Sequence, residues 1–275
     1  GTMASLITKN INVVISITGL GEVFSNNSAI DKFKQFIIVK LLNFVFNKKK
    51  LKVIFQNKDD KKFILNKTQL KDRDTYLFKG SGVNLKDLKF KPLSNQFPKV
   101  LFASRLIYSK GIKEFIEAST MVKGCEFIIA GKFDRGNPKS LNKADLEHLI
   151  AKYPIEYVGY QEDIRNLIYS SSIVVLPSYY REGLPKILIE AAACGRPIIT
   201  TNNVGCKDAV IHQKTGILIP IKNSIKLAEA IVYLIKNKKI LKDMGKEGRK
   251  FAVKNFDIDK ITSGHLKIYE DLINE

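Results

Sequence analysis

Residues 173–201, IVVLPSYYREGLPKILIEAAACGRPIITT, decide the fold of this chain. Ile173–Ser178 is a short apolar run typical of a buried strand, and Pro197–Thr201 is a second run of that kind. Between them, Leu184–Cys194 has the length and composition of a helix, and Pro185 suits its first helical position. A strand, a helix and a strand in this order predict a right-handed crossover between parallel neighbours.

The same alternation of strands and helices continues on both sides of this unit. Further strand-like runs are NVVISIT (12–18), KVIFQN (52–57), TYLFKG (75–80), KVLFASR (99–105), EFIIAG (126–131), IEYVG (155–159) and GILIP (216–220). Further helical patterns cover 30–46, 58–65, 111–122, 141–152, 162–171, 207–211, 224–236, 238–254 and 257–273. The alternation predicts an α/β protein whose parallel strands carry helices on both faces.

Two unequal halves are separated by Phe90–Pro98, a stretch that has no periodicity and contains two prolines. Residues 4–93 offer about three strands and are predicted to form a partial Rossmann-like domain, whereas residues 94–256 have the roughly six strands of a complete one. Residues 257–275 are predicted to form a helix that packs back toward the N-terminal domain. Residues 1–3 resemble a cloning remnant and lie outside the predicted fold.

The formal net charge of +19 is large, and lysine runs at 48–50 and 236–239 supply much of it. Such a surplus fits either solvated lysine faces or attraction to an anionic membrane surface. Nucleic acid is not an expected partner, because the chain shows neither a nucleic-acid-binding motif nor an interleaved aromatic platform. The apolar run Phe36–Phe46 is too short to span a bilayer. Because Lys40 and Asn43 interrupt it, it predicts a buried or interfacial helix.

Two basic residues follow the strand KVLFAS. Ligands of open parallel sheets bind at the carboxyl ends of strands, near helix N-termini. Arg105 and Lys110 occupy that position ahead of a helix, and they could reach one diphosphate from two sides. Taken alone, the pair could equally be two solvated cations.

Two carboxylates follow the strand IVVLPS. Glu182 comes just before the predicted helix, next to Gly183, whose lack of a side chain lets the backbone approach a ligand. Glu190 lies inside the apolar helix and therefore needs a partner, either a pair of ribose hydroxyls or an internal salt bridge. For Glu182 the alternative is an ordinary acidic residue at a helix start.

The seven residues between Glu182 and Glu190 resemble the E-x7-E signature of retaining GT-B glycosyltransferases, in particular glycosyltransferase family 4. Matching loops are FASRLIYSKGI (102–112), FIIAGKFD (127–134), YVGYQEDI (157–164), 174–201 and GCKDAVIHQKTGILIP (205–220). The N-terminal segments ITGLGEVF (17–24), VIFQNKDD (53–60) and GSGVNL (80–85) look like those of bacterial capsule, O-antigen and lipid-linked-glycan transferases. The resemblance runs from about Asn12 to the C-terminus and implies a GT-B fold.

The resemblance also implies a donor site. Arg105 and Lys110 would bind the donor diphosphate and stabilise the leaving nucleotide, and Glu182 would contact the sugar hydroxyls near the reacting carbon. By this resemblance Glu182, Arg105 and Lys110 are the expected catalytic residues. The other implied contacts are backbone groups of Gly183, Leu184 and Pro185 for sugar and phosphate, Glu190 for the ribose, and Tyr160 against the base. The family usually retains the anomeric configuration, so the nucleophile-plus-acid scheme of glycosidases is not expected.

Neither a metal ion nor a cofactor is expected. Asp72-Arg73-Asp74 spells the D-x-D of metal-dependent glycosyltransferases, but it lies in a polar turn of the other half. The glycine motif that starts at Gly19 breaks at Phe24, so it is weak as a dinucleotide fingerprint. By resemblance, Thr18 and Gly19 form a loop that faces the sugar or the acceptor. The three cysteines are widely spaced and are expected to be reduced thiols.

The expected function is transfer of a hexose or an N-acetylhexosamine from a nucleotide sugar to a lipid-linked glycan. A UDP-sugar is preferred over a GDP-sugar, and the expected location is the inner face of the bacterial plasma membrane. The family usually carries further N-terminal residues, so the resemblance also implies that part of the N-terminal domain is lacking. The alternatives are a non-catalytic nucleotide-sugar-binding remnant, a dinucleotide-dependent oxidoreductase and an epimerase.

Overall fold

The computed structural model describes residues 11–24, 28–48, 50–94, 97–134, 136–137, 139–151 and 153–274. The strands are β1 Val13–Ile17, β2 Leu51–Phe55, β3 Thr75–Leu77, β4 Lys99–Ala103, β5 Glu126–Ala130, β6 Ile155–Tyr157, β7 Ile173–Leu176, β8 Ile198–Thr201 and β9 Gly216–Ile219. The α-helices are α1 Ala29–Phe46, α2 Lys58–Lys67, α3 Ile112–Met121, α4 Lys143–Ile150, α5 Arg165–Ser170, α6 Lys186–Ala193, α7 Ser224–Lys236, α8 Lys238–Asn255 and α9 Ile258–Asn274. Short 3-10 helices lie at Glu22–Phe24, Asp72–Asp74, Tyr108–Lys110 and Lys207–Ala209. The predicted domain start at residue 4 and the lysine at position 49 lie outside the described residues.

The strands form two parallel sheets, which confirms the predicted α/β class. In the N-terminal lobe (β1–β3 with α1, α2 and α9), the strand order is β1-β2-β3. In the C-terminal lobe (β4–β9 with α3–α8), the order is β6-β5-β4-β7-β8-β9, which is the Rossmann order. The order reverses between β4 and β7, so right-handed crossovers place α3 and α6 on opposite faces of that sheet.

The chain crosses between the lobes twice, and the two crossings lie side by side. Val83 N–H donates to the carbonyl of Phe256 (2.8 Å), and Ile258 N–H donates to the carbonyl of Val83 (3.1 Å). From there α9 returns to the N-terminal lobe, where Asn12 Nδ2 donates to the carbonyl of Leu272 (2.7 Å). The last helix therefore packs against the N-terminal lobe, where the ring of His265 also lies 4.7 Å from that of Phe78.

The segment that follows the first crossing packs on the C-terminal lobe. Val83 and Leu88 are buried in the C-terminal core, and Leu93 packs against it. The hydroxyl of Tyr169 donates to the carbonyl of Lys89 (3.0 Å). The chain thus joins the C-terminal lobe well before the boundary proposed at residues 93 and 94, because these leucines and Val83 anchor a stretch without regular structure.

Arg196 lies inside the C-terminal lobe and is only 1% exposed. Its guanidinium donates to the carbonyls of Ile168 (3.1 Å), Lys91 (2.6 Å), Cys194 (3.0 Å) and Tyr169 (2.8 Å). Burial lowers the pKa of Arg196 from its ordinary value. One side chain therefore satisfies carbonyls from the end of α5, the end of α6 and the segment before β4.

We expect Arg196→Lys to lower the free energy of unfolding by about 3 kcal/mol or more. A lysine cannot reach all four carbonyls, and each buried acceptor left without a donor costs about 1–3 kcal/mol. Urea unfolding of the purified variant measures the change. Arg73→Lys is the matched control, because the side chain of Arg73 is 76% exposed and should tolerate the exchange.

Candidate functional site

The strand order brings together the loops that follow β4 and β7. These two strands are hydrogen-bonded neighbours at the point where the sheet order reverses, which is where open α/β sheets bind ligands. The β4 loop carries Arg105 and Lys110, and the β7 loop carries Glu182. Residues far apart in the sequence therefore meet at one edge of the sheet.

Lys110 and Glu182 form an ion pair in this cleft. Nζ of Lys110 bonds Oε1 of Glu182, and each side chain is only 10% exposed. The same carboxylate oxygen accepts a hydrogen bond from Ser178 Oγ (2.9 Å). The ring of Tyr180 lies 4.9 Å from the ammonium group of Lys110. The ammonium has three N–H donors, so Lys110 can bond Glu182 and still donate to an anionic ligand.

A cavity of about 190 Å³ lies at the carboxyl ends of β4 and β5 and brings together three other predicted residues. Arg105, Tyr160 and Glu190 line it, together with Lys132. Arg105 donates to Asp134 (2.8 Å), and Lys132 lies 5.3 Å from the centre of the Tyr160 ring. The cavity thus offers a bidentate cation, a second cation, an aromatic face and a carboxylate.

Glu190 is the carboxylate of this cavity, and its side chain is 16% exposed. Its ion pair with Lys186 is loose, because Nζ of Lys186 lies 3.8 Å away on a side chain that is 68% exposed. Burial raises the pKa of Glu190, Lys186 opposes that rise, and Asp163 adds to it. The salt bridge expected as one alternative is therefore present but weak, and the carboxylate still faces the cavity.

The helix after β7 begins later than the sequence suggests. The prediction placed the helix at Leu184–Cys194, with Pro185 in the first helical position. In the structure α6 begins at Lys186, and Pro185 is the preceding cap residue with a ψ of 124°. The proline disfavours a helical Leu184 before it. The Glu182–Pro185 segment is consequently an extended turn that leads into the amide end of α6.

Thr18 and Gly19 come from the N-terminal lobe and contact this turn directly. A Cβ atom on Gly19 would lie 2.6 Å from the amide nitrogen of Gly183. Conversely, a Cβ on Gly183 would lie 1.8 Å from the carbonyl oxygen of Thr18 and 2.5 Å from Oε1 of Gln56. Both glycines are thus required for the two backbones to touch across the cleft.

Sequence reasoning missed a clamp between the lobes, which consists of Asn57, Asp60 and Arg181. Nδ2 of Asn57 donates to the carbonyls of Glu182 (3.2 Å) and Gly183 (3.1 Å). Nε of Arg181 donates to Asp60 Oδ1 (2.6 Å), and Asp60 is fully buried. The start of α2 therefore holds the turn that carries Glu182. The only sequence signal was the match of VIFQNKDD, which gave no role to Asn57 or Asp60.

The D-x-D motif lies apart from this cleft, as expected. Asp72 pairs with Lys61 (2.9 Å) and Asp74 with Lys52 (3.3 Å), at the start of β3. Within the described residues, no group of three or more His, Cys, Asp or Glu side chains could hold a metal ion. In the same part of the chain, no helix has both the length and the apolar character to cross a membrane.

A Rossmann sheet that faces a second parallel sheet across a cleft with buried basic and acidic side chains defines the GT-B class of glycosyltransferases. A family model described as "Glycosyl transferases group 1" matches residues 85–251, more than half of the chain. The chain belongs to this family of glycosyltransferases.

Two relatives act on lipid-linked sugars according to their names. The chain is 31% identical over 271 residues to the N,N'-diacetylbacillosaminyl-diphospho-undecaprenol alpha-1,3-N-acetylgalactosaminyltransferase of Campylobacter jejuni, and the match covers 94% of this chain and 70% of the relative. It is 27% identical over 226 residues to the UDP-Gal:alpha-D-GlcNAc-diphosphoundecaprenol alpha-1,3-galactosyltransferase of Escherichia coli, with 82% of this chain and 55% of the relative covered. The resemblance to lipid-linked-glycan transferases is thus confirmed at the level of the family.

A solved structure shares the fold over nearly the whole chain. Anabaena HepE, solved in complex with UDP, superposes with a TM-score of 0.83 at 19% identity, and covers 98% of this chain and 75% of that one. The GT-B prediction is confirmed by this likeness.

We expect Gly183→Ala to lower the free energy of unfolding by about 3 kcal/mol or more. Its Cβ would overlap the carbonyl oxygen of Thr18, and the two backbones could separate only by breaking the contact between the lobes. Gly248→Ala is the matched control, because its Cβ would meet nothing closer than 3.8 Å and alanine favours the helix α8. Equal stability of the two variants in urea unfolding would contradict the backbone contact.

We expect Glu190→Gln to stabilise the protein at alkaline pH and to have little effect in acid. Burial raises the pKa of Glu190 above its ordinary value of 4.5, so the folded state binds more protons than the unfolded state just above that value. The parent chain therefore loses stability as the pH rises through this window, and the glutamine variant does not. Urea unfolding across the window measures the difference, with the exposed Glu162→Gln as the control. A pH-independent difference would contradict the assignment.

Proposed function

We propose that the chain binds a UDP-sugar in the cleft after β4 and β7 and transfers its hexose or N-acetylhexosamine to a lipid-linked glycan. The observation that carries the proposal is the cavity that joins Arg105, Tyr160 and Glu190, together with the Lys110–Glu182 pair in the loops that follow β4 and β7. Cations, an aromatic face and a carboxylate are the groups that a diphosphate, a base and a ribose respectively require.

Each donor-site residue has a proposed part. Arg105 supplies a guanidinium fork and Lys110 an ammonium for the diphosphate, and both offset the charge that develops on the leaving phosphate. Glu190 accepts hydrogen bonds from the ribose hydroxyls. Tyr160, which is 62% exposed at the rim of the cavity, lies against the base. Arg105 bonds Asp134 through one guanidinium nitrogen and Lys110 bonds Glu182 through its ammonium, so both keep further N–H donors for the diphosphate.

The sugar is proposed to lie at the turn between the lobes. Glu182 would accept hydrogen bonds from sugar hydroxyls beside the bonds that its Oε1 accepts from Lys110 and Ser178. The backbone of Gly183, Leu184 and Pro185 would contact the sugar and the β-phosphate, since the first amides of α6 have no partner within the helix. Thr18 and Gly19 would close the other side, where the acceptor enters.

The proposed reaction retains the anomeric configuration, as is usual for glycosyltransferase family 4. The bond from the anomeric carbon to the β-phosphate oxygen breaks, and an acceptor hydroxyl forms its bond on the same face. The acceptor proton passes to the leaving phosphate. Glu182 is therefore assigned a binding part in this scheme and no covalent intermediate.

The donor and acceptor classes are supported by the relatives. The E. coli relative is named for a UDP-sugar, and both relatives are named for acceptors linked to diphospho-undecaprenol. We propose the same classes here and a peripheral position on the cytoplasmic face of the bacterial plasma membrane. The net charge of +19 supports attraction to anionic lipid there.

We expect UDP to bind the parent chain in calorimetry, and Arg105→Ala or Glu190→Ala to weaken binding roughly 10- to 150-fold. Each removes charge-assisted hydrogen bonds of about 1.5–3 kcal/mol. Arg73→Ala is the control, because it removes an arginine that is 76% exposed and pairs with Asp74 in the other lobe. The absence of UDP and GDP binding by the parent chain would overturn the proposal.

Transfer itself is tested with labelled UDP-sugars and a polyprenyl-diphosphate-linked sugar as acceptor. A product whose new linkage has the anomeric configuration of the donor supports the full proposal. UDP binding without transfer would instead identify this chain as a nucleotide-sugar-binding protein.

A further inference from the structure

Helix α1 exposes apolar side chains on the face that points away from its own core. The exposed fractions of its large apolar side chains on that face are Ile30 68%, Phe33 65%, Phe36 59%, Ile37 42%, Leu41 46% and Phe44 65%. They recur at helical spacing and form one continuous stripe. Surface helices of globular proteins normally place such residues toward the core and polar residues outward.

The opposite face of α1 is already fixed to the N-terminal lobe. Val45 and Phe46 are buried in a core cluster with Val53 of β2. Nε2 of Gln35 donates to the carbonyl of Val23 (2.6 Å), and Oδ1 of Asn43 accepts the amide of Gln69 (2.7 Å). The helix therefore cannot turn its outer stripe inward without losing these contacts, and a contiguous exposed apolar patch of this kind marks an interaction surface.

The charges around the stripe are almost all positive. Lys32, Lys34 and Lys40 are exposed on α1 itself, and Lys40 lies 5.5 Å from the centre of the Phe36 ring. Within the described residues 28–48, the acidic side chain is Asp31, which accepts a hydrogen bond from Ser28 at the helix start. An apolar stripe among lysines is the composition of helices that lie in the interface of an anionic membrane.

We propose that α1 docks this protein on an anionic lipid bilayer, with its apolar stripe at the boundary of headgroups and acyl chains. Lysines bury their methylene stems along the apolar surface and keep their charge among the lipid phosphates. A second copy of the chain on the same face would bring two lysine-rich surfaces together, which is unfavourable. The charge thus favours anionic lipid over self-association.

Docking through α1 would also orient the cleft, and this part rests on the proposed function. The 3-10 turn Glu22–Phe24 precedes α1 and is bound to it through Gln35. Just before that turn, Gly21 N–H donates to the carbonyl of Arg181 (3.3 Å). The membrane surface and the turn that carries Glu182 are therefore joined by one short stretch of chain, on the side where a lipid-linked acceptor would enter.

Flotation with vesicles tests the docking surface. The parent chain should bind vesicles of equal parts phosphatidylcholine and phosphatidylglycerol and bind phosphatidylcholine vesicles much more weakly. Phe33→Ser with Phe44→Ser should lower the partition coefficient by about tenfold or more per side chain, since burying one phenylalanine contributes at least about 1.5 kcal/mol. Lys32→Gln with Lys34→Gln should lower it roughly fivefold per lysine, because each basic residue near an anionic surface contributes about 1 kcal/mol.

The matched control is Ile225→Ser with Ile273→Ser, which removes two similarly exposed apolar side chains (60% and 73%) from other helices. An equal loss of vesicle binding in the control and in the double phenylalanine variant would overturn the proposal, and so would a parent chain that does not bind anionic vesicles.

If light scattering shows that the parent chain is a dimer, and only the double phenylalanine variant is a monomer, the stripe is a contact surface for a second copy of the chain. UDP calorimetry on the same variants separates the two proposals. A variant that loses flotation but binds UDP normally is impaired in docking alone. A parent chain that floats but does not bind UDP overturns the donor site alone.

Discussion

The ion pair between Arg181 and Asp60 holds the two lobes in the arrangement on which the site depends. Asp60 is fully buried and Arg181 is 14% exposed on its side chain, so neither charge can be solvated if the other is removed. Breaking a buried pair from one side typically costs about 3–5 kcal/mol. The ring of Phe63 lies 5.0 Å from the guanidinium and shields the pair further. Because Arg181 precedes Glu182, the position of the central carboxylate is set from the other lobe.

The C-terminal half of the site could be predicted from the sequence because it follows from strand order. Parallel strands bring their carboxyl ends to one edge, so the residues after KVLFAS and IVVLPS had to meet there. The structure does bring Arg105 and Glu190 to one cavity and Lys110 to Glu182. Strand order could not predict that these four side chains form two separate groups, Arg105 with Glu190 and Lys110 with Glu182. The two groups arise because Lys110 pairs with Glu182 of the β7 loop, whereas Arg105 pairs with Asp134.

The contacts between the lobes could not be predicted, for two physical reasons. Asp60 and Arg181 are 121 residues apart, and no local pattern encodes such a pairing. Similarly, α1 is apolar on most of its circumference, so periodicity indicated a helix but not which face would be buried. The start of α6 was placed too early because a proline fits either the cap or the first turn, and only the backbone of Leu184 decides between them.

The paired crossings at Val83 and at Phe256–Ile258 have a mechanical consequence. The two segments that link the lobes are hydrogen-bonded side by side. A rotation of one lobe against the other about that line disturbs neither sheet. A relative rotation of the two lobes would therefore be centred on this line. The Arg181–Asp60 pair and the hydrogen bonds of Asn57 oppose such a rotation. Separating the lobes in this way would break those polar contacts and the backbone contact of Gly19 with Gly183, while the two hydrophobic cores would remain intact.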